Sequence, residues 1–125
     1  MSELRNGIAR AACGPPEIGA DGSLCRRFNF APDFQGFAGH FPGYPLLPGV
    51  VQLLIAQTLV ESALGTRPVL KEVVGAKFLE QLLPGREIVV KCQARDASRL
   101  AWNARLEVEG RLAASFQLHF RPAAN

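Results

Sequence analysis

Tyrosine, tryptophan and methionine occur once each in this chain, and histidine only twice. With so few rings to stack on bases, and basic residues scattered from Arg26 to Arg121 rather than run together, the net charge of +3 does not point to nucleic acid. It fits attraction to an acidic protein partner better. Cysteine is scarce as well: Cys13, Cys25 and Cys92 are odd in number, far apart and without Cys-x-x-Cys spacing. That argues against a disulfide framework or a thiolate metal site and predicts buried or half-buried free thiols in a reducing cytosol. Residues 1–10 include Glu3, Arg5 and Arg10 and have no apolar centre, unlike a secretory signal. The longest hydrophobic stretch is broken by Gln52, Gln57 and Glu61, so no membrane span is expected. These absences describe a soluble cytoplasmic protein.

What is present is an ordinary globular composition, 48% hydrophobic and 20% charged over 125 residues. That length suits one domain, residues 1–125. Ile8 to Cys13 reads as a short strand ended by Gly14-Pro15-Pro16. Asp21-Gly22 signals a hairpin, and Leu24 to Phe30 alternates as a strand. Ala31 to Ala38 is irregular, with one helical turn after Pro32. Val50 to Leu64 reads as a helix, apolar nearly all round and therefore internal, with Gly65 closing it. Four strand-like segments follow, Val69–Glu80, Arg86–Arg95, Leu100–Glu109 and Leu112–Phe120, separated by turns at Pro84-Gly85, Ala97-Ser98 and Glu109-Gly110. This order predicts an α+β fold, an antiparallel sheet around one long central helix. Such a sheet leaves an edge strand and a helix flank open, which a dimer would cover.

The segment that speaks of chemistry is Gly39-His40-Phe41-Pro42-Gly43-Tyr44-Pro45-Leu46-Leu47-Pro48-Gly49. Three prolines at a spacing of three make it rigid, and Pro48 suits the first turn of the helix it enters. An imidazole is thereby held near the positive end of a buried helix, a plausible place to transform an acyl group.

This run, continued by Val50, resembles the signature of β-hydroxyacyl-ACP dehydratases of the FabA/FabZ type, which have the hotdog fold. Ala76-Lys77-Phe78 with Leu83-Pro84-Gly85 looks like that family's strand-turn, and Val108 to Ala114 like its closing hairpin. The resemblance covers about Asn29 to Phe120. Leu47 to Leu53, together with the lack of a Pro-His-Arg leader, looks more like the small dehydratases of aryl-polyene and related pigment clusters.

The resemblance implies a 3-hydroxyacyl thioester carried on an acyl carrier protein, in fatty-acid or polyketide synthesis, with no metal or cofactor. It implies His40 as general base and the Gly49 N–H as the donor that polarises the thioester carbonyl. Phe41, Pro48, Val50 and Leu54 would line the acyl site, and Lys77 would meet the carrier. One part is missing. The family's acid lies fourteen positions after the histidine, and here that position is Leu54. Glu61, about 10 Å further along the helix axis, is out of hydrogen-bond reach of that place, and reads as exposed or paired, as does Glu80. His119 reads as structural. Gln52 and Gln57 can orient water but are not acids. Three readings stay open: a dehydratase working through His40; a silent acyl-ACP-binding subunit completing a heterodimer with an acid-bearing homologue; or a thioesterase on the same architecture.

Overall fold

The computed structural model describes residues 3–37 and 46–123. The chain opens with α1 (Glu3–Ala11), β1 (Ala12–Ile18) and β2 (Leu24–Asn29), followed by a short 3-10 turn at Gln35–Phe37. The central helix α2 (Gly49–Leu64) precedes β3 (Val69–Phe78), β4 (Glu87–Ala94), β5 (Ala101–Val108) and β6 (Arg111–Arg121). The strands form one antiparallel six-stranded sheet in the order β1-β2-β4-β5-β6-β3. This is the expected α+β hotdog architecture, and no helix of the described residues is long and apolar enough to cross a membrane.

The amino terminus departs from the expected strand at Ile8 to Cys13. Leu4, Ile8 and Ala11 recur at helical spacing, Glu3 lies in the first turn and Arg10 in the last, so these residues form α1 instead. Gly14-Pro15-Pro16 lies within β1 rather than ending it. β1 is an edge strand with a register shift between Cys13 and Glu17, and an edge tolerates residues that cannot donate to the ladder.

Alternation sorts the sheet residues into two faces. Leu24, Phe28, Val90, Trp102, Leu106, Phe116 and Leu118 are buried on the inner face. α2 lies across it against β2 and β4, burying Val51, Ile55, Ala56, Leu59 and Val60. Each large aliphatic side chain so buried contributes roughly 1.5–3 kcal/mol. Gly65 ends α2 in the left-handed region at φ 71°, its N–H donating to the Glu61 carbonyl at 2.9 Å, the conformation expected of glycine there. On β3 the register shifts between Val74 and Lys77, where Gly75 takes φ 64°. Three steps along β3 there match two along β6, so β3 carries one extra residue, a bulge.

Candidate active site

The amino-terminal turn of α2 is held from two sides. The Leu47 N–H donates to the Leu82 carbonyl at 3.0 Å, fixing the approach to the helix. Gln52, buried one turn into α2, reaches back so that its Nε2 donates to the Leu47 carbonyl at 3.0 Å. Pro48 is the N-cap in an extended conformation (φ −62°, ψ 154°), and its carbonyl accepts from Val51 at 3.0 Å and Gln52 at 3.1 Å. Proline has no side-chain acceptor to cap the turn. The N–H groups of Gly49 and Val50 thus find no acceptor among the described residues. They are the donors that the start of a helix offers to an oxygen carrying negative charge.

Phe78 lies over this turn. A Cβ added to Gly49 would come within 3.0 Å of the Phe78 ring, so glycine is what lets ring and backbone approach. Phe78 also packs against Phe116, ring centres 6.3 Å apart, which fixes it on the inner face of β3. Sequence reasoning gave Phe78 no role at the site. The signal was the Lys77-Phe78 pair at the end of a strand, although which of the two turns inward depends on the bulge.

At 100° per residue, Val50, Leu53, Leu54, Gln57 and Glu61 share one side of α2, away from the face packed on the sheet. α1 covers the carboxyl-terminal part of that side: the Arg5 guanidinium grips both oxygens of Glu61, the second at 3.1 Å, and Gln57 Nε2 donates to Glu61 at 3.3 Å. Glu61 is therefore buried and paired, about 18 Å along the axis from Gly49 at 1.5 Å per residue, and too far to serve as the acid that the resemblance implies. The amino-terminal part is left apolar and open among the described residues. Val50 is 72% exposed, Leu53 and Leu54 are half-buried, and Phe78 and Leu79 stand exposed beside them.

Of the site residues expected from sequence, Pro48, Gly49, Val50 and Leu54 fall together on the first turns of α2, while His40 and Phe41 lie outside the described residues. Lys77 is on β3, turned to the outer face of the sheet. Glu80 is paired with Arg111 and Arg86, and the Arg111 hydrogen bond holds its carboxyl below the usual range. His119 Nε2 contacts Gln117 Oε1 at 3.1 Å on the outer face. All three cysteines are free, but Cys13 is exposed rather than buried. Burial, with a smaller contribution from Cys25, pushes the Cys92 thiol up to about 12, so it is no nucleophile near neutral pH.

Comparison with known proteins adds ancestry to this geometry. The model of the ApeI-like family, described as ApeI dehydratase, matches residues 18–117. A 3-hydroxyacyl-[acyl-carrier-protein] dehydratase FabZ of Granulibacter bethesdensis is 37% identical over 89 residues, covering 62% of this chain and 52% of that protein. The FabZ of Streptococcus suis is 36% identical over 97 residues, covering 67% of this chain and 66% of that protein. The chain thus spans about half to two thirds of the length of these curated relatives. Among solved structures, the dehydratase heterocomplex ApeI:P from Xenorhabdus doucetiae superposes with TM-score 0.76 at 23% identity, covering 86% of this chain and 94% of that one.

Proposed function

The chain belongs to the ApeI-like dehydratase family, and we propose that it acts on 3-hydroxyacyl thioesters of an acyl carrier protein, eliminating water across the Cα–Cβ bond. The observation that carries this reading is the pair of N–H groups at Gly49 and Val50, which find no acceptor among the described residues and open a buried helix in the family's motif. In the proposed reaction His40 takes the α-proton as electrons shift toward the thioester carbonyl. The Gly49 N–H donates to the oxygen that gains negative charge, aided by the helix dipole. The double bond forms as the β-hydroxyl departs, accepting a proton to leave as water. Leu54 cannot supply that proton.

Two arrangements answer this deficit. In the first the chain works alone and the hydroxyl is protonated by water, at a cost of about 10²–10⁴-fold in rate, the usual contribution of a positioned acid. In the second an acid-bearing homologue completes the site across a subunit interface. The open apolar flank around Val50 and Leu54 favours this arrangement, and the Xenorhabdus neighbour is itself described as a heterocomplex.

The test is an assay on 3-hydroxyacyl-carrier protein, following the ultraviolet absorbance of the enoyl thioester. We expect slow turnover by the chain alone, abolished in His40→Ala, and faster turnover on mixing with an acid-bearing homologue. No enoyl product from either preparation at any chain length would refute the reading, and release of free thiol instead would identify a thioesterase.

A further inference from the structure

The outer face of the sheet, turned away from α2, bears an ordered row of basic side chains. Strand pairing aligns Lys77 with Ser115, Ser115 with Arg105, Arg105 with Lys91, and Lys91 with Cys25. At about 4.8 Å per strand step, the row from Lys77 to Lys91 runs about 14 Å. Alongside it lies a second row, the amides Gln117, Asn103 and Gln93. Together they floor a groove of ≈ 720 Å³ that Asp21 and Ser23 also line.

Like charges directly opposite on neighbouring strands repel, yet Arg105 and Lys91 are such a pair. Glu107 bridges them, 3.1 Å from Lys91 Nζ and 3.4 Å from Arg105 Nε. Both cations stay half exposed, at 50% for Lys91 and 57% for Arg105. Lys77 forms no salt bridge with any described residue. Asp21 is engaged by Ser23 and Gln93. Three cations against one bridging carboxylate leave the row with excess positive charge.

We propose that this outer face docks an acidic helix of the carrier protein, a proposal that rests on the carrier-bound substrate of the preceding reading. Carboxylates one turn apart on a helix repeat about every 5.4 Å, close to the spacing between strands. The amide row supplies neutral donors and acceptors beside the charges. A second copy of this chain would bring the same positive row and be repelled. The face has no exposed aromatic ring among the described residues on which a nucleic-acid base could stack. The row also ends beside the candidate site. Lys77 heads it, and the next residue, Phe78, lies on the opposite face against Gly49. A carrier seated on the row thus reaches the edge of β3 where the helix begins.

The experiment compares wild type with Lys91→Glu and Arg105→Glu, neither of which touches α2. Carrier binding is measured by calorimetry, and kinetics on one 3-hydroxyacyl chain borne either by the carrier or by free pantetheine. Each reversal is expected to raise Kd and KM for the carrier-borne substrate about tenfold, leaving kcat and the pantetheine kinetics unchanged. Lys91→Gln and Arg105→Gln, milder to the fold, should shift Kd the same way by less, with thermal melts showing that each variant is folded. Equal Kd for wild type and all four folded variants overturns the proposal, as does RNA displacing the carrier from this face. Binding through the row without turnover of either substrate would sink the dehydratase reading and leave docking standing. Turnover with no effect of the variants would do the reverse.

Discussion

Leu54 sits half-buried on the first turns of α2, in the position where the resemblance implies a proton donor. Its neighbours on that side are Val50 and Leu53, apolar and open, so a carboxylate there would lie at the surface of this chain rather than inside its packed core. Leu54→Asp should therefore fold and, if the rest of the site is intact, raise kcat on 3-hydroxyacyl-carrier protein by about 10²-fold. Steady-state rates of variant and wild type read this directly. A folded variant no faster than wild type would mean that the acid is supplied by another chain or that the pocket has a different use. The places of Gly49 and Leu54 on the first turns of α2 were legible in the sequence because local spacing sets them. The fate of Glu61 was legible only as a choice between exposure and pairing, because its partner Arg5 is 56 residues away. Only the packing of α1 on α2 brings the two together.

Among elements, α1 and α2 are joined by that ion pair. Glu61 is 9% exposed and Arg5 18%, so removing the arginine strands a carboxylate that water barely reaches. Arg5→Leu is expected to destabilise the fold by about 3 kcal/mol, the lower end for a buried pair because Arg5 keeps some solvent contact. Arg5→Leu combined with Glu61→Leu should recover most of that loss. Urea midpoints of the three proteins check both statements, and equal stabilities would show that α1 is not anchored by the pair. The boundaries of α2 and of β3 to β6 were readable from composition and turn residues to within a residue or two. α1 and β1 were not. Leu4, Ile8 and Ala11 form a narrow stripe, and Gly14-Pro15-Pro16 looks like an end when no sheet edge is in view.

For the whole molecule the two sheet edges differ. β1 has two prolines and a register shift, which blunt its capacity to pair with another strand. β3 is ten residues long, holds no proline, and places exposed Phe78 and Leu79 beside the open flank of α2. An edge of that kind invites a partner. Sedimentation of the purified chain is expected to show a dimer. Replacing Phe78 and Leu79 together by lysine should shift it toward monomer while the circular dichroism spectrum stays that of a folded sheet. A monomeric wild type would leave the β3 edge open to a different chain only.

The bulge at Gly75 counts for more than a local kink in β3. Residues on a strand alternate between faces, so one inserted residue reverses the parity of everything beyond it. Val74 stands opposite Gln117 on the outer face, and uninterrupted alternation from there would turn residue 77 inward and residue 78 outward. Drawing β3 out into regular strand with every residue kept would exchange the two ends of the molecule's chemistry. The ammonium of Lys77 would be brought over the Gly49 amide, and the phenyl ring of Phe78 would head the basic row. One extra residue in an edge strand thus sets which of Lys77 and Phe78 faces the helix and which joins the charged face.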